Sequence, residues 1–183
     1  ALDLFGNVPF VLETDPAGTL PKRIERAELF KFVENELKAL ETELKDPKTN
    51  EYGRADKAAA WTLLSRLYLN AKVYSGSERN NDVITYANKV IGAGYELKKQ
   101  TIQVPDPDNP GQTKPKDISY ESLFLADNHL NNPEVILSVN YDGIKTQTWG
   151  GSTFLVHAPV GGEMNAADFG INGGWGGIRT TKA

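Results

Sequence analysis

The sequence predicts a mainly α-helical fold that ends in a glycine-rich irregular segment with short strands. Two observations carry this prediction. Apolar residues recur at helical spacing through most of residues 1–97, whereas pairs of glycines interrupt any such pattern after residue 149. We therefore divide the chain into a helical scaffold over residues 1–97 and a loop-rich segment with short strands over residues 98–183, both within one domain.

The first long helix is predicted from Pro21 to about Leu44. Thr19 and Pro21 are start signals, and Asp46 followed by proline is a stop signal. Between them the apolar residues step by three and four positions, which places them on one stripe of a helix. These residues are Phe30, Val33, Leu37, Leu40 and Leu44. The charged remainder is expected to be a solvated face.

Two further helices are predicted after this one. The segment from Arg54 to Tyr74 is apolar on more than one side, which is typical of a helix packed between neighbours. The next helix begins near Asp82, and Gly92 and Gly94 are expected to end it.

The second helix carries a spacing found in tetratricopeptide helices, W-x2-L-G-x2-Y. Trp61, Leu64 and Tyr68 fill the large positions, and Ser65 stands at the glycine position, where a small residue lets the partner helix approach. Ala87 in the third helix is the matching small contact. The pattern predicts a tetratricopeptide-like helical repeat, although such units need about three copies to bury a continuous core.

The character of the sequence changes after Leu97. The stretch TIQVPDPDNPGQTKPKD is rich in proline and predicts an exposed loop or hairpin. ISYESLF fits a short helix or a strand, and PEVILSVNYD alternates in the manner of a strand. From Gly143 onward we expect irregular backbone.

Composition excludes several classes of protein. A net charge of −4 and a pI near 5.3 argue against a nucleic-acid partner, which normally requires a basic face. The chain has no cysteine, so disulfides, thiolate zinc sites and cysteine nucleophiles are ruled out. No apolar run approaches the roughly 20 residues of a membrane-spanning helix.

The residues that could carry catalysis are sparse. His129 and His157 do not stand at metal-ligand spacing, and Asp106 and Asp108 lie in a proline-rich loop where turn formation is the simpler interpretation. The GGWGG stretch lacks the lysine and the strand-to-helix context of a phosphate loop. We therefore expect no enzyme activity and no cofactor. The run ADNHLNNPE leaves a structural calcium ion as an alternative, because its oxygens suit calcium although the spacing is not that of an EF-hand.

Aromatic rings and planar polar groups stand close together near the end of the chain. An aromatic face favours the partly positive C–H groups of a sugar, and amides, acids and arginine suit its hydroxyls. The predicted carbohydrate-binding residues are Trp149, Trp175, Tyr141, Asn140, Asp142, Gln147 and Arg179. We expect Trp175 to be the better platform, because flanking glycines should leave it little local packing. The alternative is that a tryptophan caps the core and the glycines only permit tight turns.

Five stretches in this order resemble the SusD/RagB family of outer-membrane glycan-binding lipoproteins. They are LDLFGNVPFV, GRADKAAAWTLLSRLYLNA, YANKVIGAGYEL, NNPEVILSV and TWGGSTFLVHA. The resemblance implies a variant tetratricopeptide scaffold followed by loops that form the ligand site, with the tryptophans as members of an aromatic arc. Family members are longer, so we expect this chain to be a central piece of a longer protein.

The resemblance also implies a role. It is the non-catalytic capture of oligosaccharides, starch or other glycans, at the cell surface, and their delivery to a SusC-type TonB-dependent transporter in the outer membrane. An N-terminal lipid anchor outside this chain would supply the membrane association. Two other interpretations remain open: a helical-repeat module that binds a protein partner along an apolar groove, and a glycosidase fragment, for which the sequence nominates no carboxylate pair.

Overall fold

The computed structural model describes residues 1–125, 128–130, 132–140 and 151–178. The chain forms two compact units, residues 1–138 and 139–183. The division into a scaffold and a ligand-binding segment at residue 97 stays a prediction. Among the described residues there are six α-helices and two antiparallel strand pairs. Within that part of the chain, none of the helices combines the length and the apolar character needed to cross a membrane.

The first unit opens with helix α1 (Leu2–Phe5) and a small sheet of β1 (Val8–Phe10) and β2 (Lys22–Ile24). Helix α2 follows as Arg26–Glu43, later than the predicted start at Pro21. The predicted start is wrong because residues 22–24 pair with β1. Asn7 then caps the helix from outside, since its Oδ1 accepts a hydrogen bond from the backbone N–H of Arg26 at 2.7 Å.

The second predicted helix is interrupted. Helix α3 runs over Lys57–Leu69 and helix α4 over Ala71–Ser75, with the break at Asn70. The Asn70 side chain donates to the carbonyl of Arg66 at 3.1 Å, and such local bonds compete with the helical ladder. Asp56 begins α3, because its carboxylate accepts hydrogen bonds from the N–H groups of the second and third helical residues.

The core of the first unit lies where α3 packs against both α2 and helix α5 (Asn80–Gly92). This confirms that the second predicted helix is packed between neighbours. The buried cluster contains Leu2, Leu29, Phe30, Leu64, Leu67, Tyr68, Ala71, Tyr74 and Tyr86. The unit is therefore a helix-rich scaffold, and a tetratricopeptide-like repeat arrangement stays a prediction.

Two carboxylates of α2 collect polar groups from the neighbouring helices, and the Glu34 cluster is the more deeply buried of the two. Glu34 accepts hydrogen bonds from Lys38 and from the Tyr68 hydroxyl, each at 2.8 Å, and from the Arg79 guanidinium at 3.2 Å. The Arg79 guanidinium also lies 4.6 Å from the centroid of the Tyr68 ring. Burial raises the pKa of Tyr68, and the adjacent carboxylate raises it further, so the phenol remains a donor.

The Glu41 cluster repeats this arrangement further along α2. Its carboxylate accepts hydrogen bonds from the Trp61 indole at 2.6 Å, from Lys89 at 2.7 Å and from the Tyr86 hydroxyl at 3.1 Å. Burial acts to raise the pKa of each glutamate, but the donated hydrogen bonds and the cations beside them outweigh burial and hold both pKa values below the usual value of 4.5.

These lowered pKa values predict acid destabilisation of the first unit. A carboxyl whose pKa is lower in the folded chain contributes stability above its unfolded pKa, and that contribution is lost as the pH falls through the folded pKa. The free energy of unfolding should therefore decline below about pH 4.5. Urea titrations from pH 7 to pH 3 measure it. The variant carrying Glu34→Gln and Glu41→Gln should be less stable at pH 7 and show a flatter pH profile; parallel profiles would contradict this origin of the acid sensitivity.

After α5 the chain forms an exposed hairpin of β3 (Thr101–Pro105) and β4 (Thr113–Asp117). The hairpin alternative for the proline-rich stretch is thus confirmed. Asp106 acts as a turn former, since its carboxylate accepts from the N–H of Asp108 at 3.1 Å and from the Asn109 amide at 2.8 Å. The hydrogen bond from Asn109, with that N–H and Lys114, holds the pKa of Asp106 below its usual value.

In the remainder of the chain, one open alternative is resolved and one predicted strand is corrected. ISYESLF contains a 3₁₀-helix, Glu121–Phe124, which confirms the short-helix alternative. The strand predicted over residues 133–142 is not formed in its described part, 133–140, where Glu134 instead accepts a hydrogen bond from the backbone N–H of Lys98 at 2.7 Å. Both strand pairs lie in the first unit, and the described residues after 117 contain no strand.

Candidate functional site

The second unit contains a helix where the sequence predicted irregular backbone. Helix α6 covers Ser152–His157 and follows Gly151, whose φ of 59° only glycine adopts readily. Phe154 and His157 stand three residues apart, which places both rings on one face of the helix. The helix thus presents two rings on the face against which a later segment of the chain can pack.

The glycine-rich segment returns to the C-terminal end of this helix. Three backbone hydrogen bonds of 2.9–3.0 Å join it to the last residue of α6 and to the residues that follow: Trp175 donates to His157, Gly176 to Val160 and Ile178 to Ala158. Ala158 and Val160 are buried beneath this contact. Within GGWGG, Gly174 therefore serves a close approach of two backbones.

Gly174 shows how close that approach is. A Cβ atom at this position would lie 2.7 Å from the carbonyl carbon of Val160, and closer still to its oxygen. A side chain cannot occupy that space without moving one of the two segments. The identity of residue 174 is thus fixed by packing.

Trp175 is held against α6. Its ring stacks on His157 with centroids 5.0 Å apart and an interplanar angle of 24°, and it lies tilted beside Phe154 at 6.2 Å. The residue nevertheless keeps 42% of its surface exposed. Its stacking partner stands eighteen positions earlier and comes near only through the fold, so the flanking glycines gave no sign of this contact.

His157 is itself fixed in orientation. Its Nδ1 lies 2.7 Å from the carbonyl oxygen of Gly173. A carbonyl only accepts, so Nδ1 carries a proton and donates it to Gly173. The fold thus holds the His157 ring from one side while its face supports Trp175. Sequence reasoning missed its role as a support for Trp175, and the i, i+3 spacing with Phe154 was the available signal.

The other predicted site residues are placed only in part. Asn140 is an exposed residue near the start of the second unit. Five predicted residues lie outside the described part of the chain: Tyr141, Asp142, Gln147, Trp149 and Arg179. Their grouping around Trp175 stays a prediction.

In the run proposed to bind calcium, the described asparagine side chains form hydrogen bonds with nearby backbone groups. The side-chain amide of Asn128 donates to the carbonyl of Leu123 at 2.6 Å, and that of Asn132 donates to the carbonyl of Asn128 at 2.8 Å. Among the described residues no group of three or more acidic, histidine or cysteine side chains could hold a metal ion. A structural calcium ion remains a prediction.

The chain is thus a helix-rich protein whose second unit carries a supported, half-exposed aromatic platform. No protein-family model matches it. It is 39% identical over 158 residues to the starch-binding protein SusD of Bacteroides thetaiotaomicron, an alignment that covers 85% of this chain and 25% of the relative. The chain belongs to the SusD-like family, as the resemblance in its sequence implied. It spans about a quarter of the length of that relative.

Proposed function

We propose that the protein captures oligosaccharides, starch-like or other glycans, without acting on them chemically, at the outer-membrane surface. Delivery to a SusC-type TonB-dependent transporter and a lipid anchor on the full-length protein are parts of the same proposal. The observation that carries it is the Trp175 platform, a half-exposed ring stacked on His157 in a SusD-like chain. The relative named as starch-binding supports glucose polymers as the first ligands to test.

The platform suits a sugar for a physical reason. The face of an indole ring carries partial negative charge and attracts the C–H groups on the apolar face of a pyranose. Support from His157 and Phe154 fixes the ring before the ligand arrives, so less side-chain freedom is lost on binding. A preformed ring at the surface is a better ligand platform than a mobile one.

Tryptophan fluorescence tests the proposal. Titration with maltoheptaose should give a saturable change in the wild-type chain, and Trp175→Ala should weaken binding by about tenfold or more, because one aromatic contact contributes about 0.5–1.5 kcal/mol beyond its buried area. Trp149→Ala extends the test to the second predicted ring, and a panel of other soluble oligosaccharides follows. Each variant needs an unchanged melting transition of the helical unit.

Trp61→Phe is the matched control. Trp61 lies in the helical unit, where its indole donates to Glu41 and its ring faces Lys89, so this change should alter the fluorescence baseline and leave sugar affinity unchanged. A Trp175→Ala chain that binds as tightly as the wild type would overturn the role of the platform.

A second candidate function is a helical module that binds a protein partner. An apolar groove of about 410 Å³ favours it, because such a groove accepts the apolar face of a helix. Leucines of α2 and α3 line the groove, among them Leu29, Leu37, Leu63 and Leu67. Binding that depends on these leucines and not on Trp175 would favour this candidate.

A further inference from the structure

The first unit contains a cleft of mixed polar and apolar lining that the platform on Trp175 does not involve. Its volume is about 450 Å³, and it lies where three connecting segments meet: the loop between α2 and α3, the turn after α5, and the described residues among 129–130 and 132–138. Its lining includes Tyr52, Arg54, Tyr95, His129, Asn132 and Ile136. All of these residues belong to the first compact unit.

Asp56 fixes two walls of this cleft. It is 4% exposed, and its Oδ2 accepts hydrogen bonds from the backbone N–H of Lys48 at 2.8 Å and from the Tyr95 hydroxyl at 3.4 Å. The Lys48 ammonium donates to the carbonyl of Gly94 and lies 4.6 Å from the centroid of the Tyr95 ring. The loop before α3 and the turn after α5 are thus tied to one another.

The third wall is tied to the same turn. The backbone N–H of Glu96 donates to the carbonyl of Pro133 at 3.3 Å, and Glu134 accepts from the backbone N–H of Lys98. The carbonyl of Asn132's side chain accepts from the N–H of Glu134 at 3.0 Å, which closes the local turn. Because hydrogen bonds hold all three segments, the cleft is formed before any ligand enters.

An aromatic pair stands at the opening. The rings of Tyr52 and His129 have centroids 6.0 Å apart at an angle of 46°, and Tyr52 is 65% exposed. Beside them the Arg54 guanidinium pairs with Glu51 at 3.0 Å, with both side chains largely in solvent. Exposed aromatic surface next to groups that donate and accept hydrogen bonds is the combination expected of a sugar platform.

We propose that this cleft is a second saccharide subsite on the helical unit. The inference rests on the proposed function, because it assigns the same class of ligand to a separate place. Tyr52 and His129 offer ring faces to the C–H side of a pyranose, while Arg54 donates to its hydroxyls and Glu51 accepts from them. The lining carries two basic and two acidic side chains, Lys48 and Arg54 against Glu51 and Asp56. This balance suits an uncharged sugar rather than an anion or a cation.

The two histidines of the chain allow each site to be read separately. His157 supports Trp175, and His129 faces Tyr52 in the cleft. We would follow both imidazole C–H signals by NMR at fixed pH while titrating the full chain with maltoheptaose. The inference expects saturable shifts of both signals, each with its own dissociation constant. A shift of His157 alone would overturn the second subsite and leave the proposed function standing.

The remaining outcomes are equally distinct. A shift of His129 alone would uphold the subsite and overturn the platform on Trp175, and no shift of either signal would overturn both. Tyr52→Ala should raise the dissociation constant measured from the His129 signal by about tenfold and leave the one measured from the His157 signal unchanged. Tyr52→Phe, which keeps the ring, should restore the wild-type value.

The control for this test is Tyr120→Ala. Tyr120 is 74% exposed and packs against Phe124 with ring centroids 5.1 Å apart, and it does not line the cleft. Its loss should change neither histidine response. If Tyr120→Ala weakened the His129 response as strongly as Tyr52→Ala, the assignment of the sugar to the cleft would be wrong.

Discussion

Tyr68→Ala is expected to lower the free energy of unfolding of the helical unit by about 3–5 kcal/mol. Tyr68 is 1% exposed, and its ring lies 5.6 Å from that of Tyr86 and 6.5 Å from that of Phe30. Truncation leaves a cavity between the helices and removes one of the donors on which the Glu34 carboxylate depends. Urea denaturation followed by far-UV circular dichroism measures the loss.

Tyr68→Phe separates the ring from the hydroxyl. It fills the same volume and removes only the hydrogen bond to Glu34, so we expect a loss of about 1–2 kcal/mol. The difference between the two variants is the contribution of the ring. If alanine were no more harmful than phenylalanine, Tyr68 would not be a core residue of this fold.

Gly174→Ala is expected to open the second unit while leaving the helical unit intact. The added methyl group collides with the carbonyl of Val160, so one segment must move, at a cost of about 1–3 kcal/mol. Trp175 then loses its position on His157 although both rings are still present. Near-UV circular dichroism, the His157 NMR signal and the fluorescence titration should all change together, and sugar affinity should fall by about tenfold or more.

Gly173→Ala is the matched control. Among the described residues nothing lies within 4 Å of a Cβ atom at this position, and its backbone carbonyl still contacts His157. The variant should therefore bind and unfold like the wild type. Equal losses in both variants would show that the segment responds to any side chain, and that the contact with Val160 has no special role.

Local pattern predicted the helices of the first unit well. The stripes of apolar residues that define α2, α3 and α5 depend only on 3.6-residue periodicity, which is visible in a single sequence. Their ends were less predictable. The start of α2 is set by Asn7 and by pairing with β1, and the break before α4 follows from one hydrogen bond of Asn70. The position of such a helix end depends on which of several hydrogen-bond partners the backbone meets, and some of those partners lie far away in the sequence.

The candidate site could be predicted only in part for the same reason. Aromatic and glycine content singled out Trp175, but its support by His157 requires the return of the chain across the second unit. The cleft at Tyr52 was not predicted, because His129 reaches that tyrosine only after the helices have packed. The sequence shows which rings exist, whereas the pairs that they form are products of long-range contacts.

The Glu34 and Glu41 clusters have a consequence for how the three helices line up along their lengths. Arg79 and Tyr86 each meet the carboxylate 45 positions before them, so α5 runs parallel to α2 at one constant offset. Tyr68 and Trp61 meet the same two carboxylates in the opposite order, as an antiparallel α3 requires. The two carboxylates are two helical turns apart, about 10.5 Å.

Leucine contacts alone would tolerate sliding of one helix past another by a turn. A slide of about 5.4 Å would carry both partners away from both acids at once and leave one buried and one half-buried carboxylate without their donors. Both carboxylates can therefore keep their hydrogen-bond donors only when the three helices are aligned at one axial position. Replacing the residues of both clusters by apolar ones would remove this restraint, and helix alignments shifted by one turn would then compete with the native one.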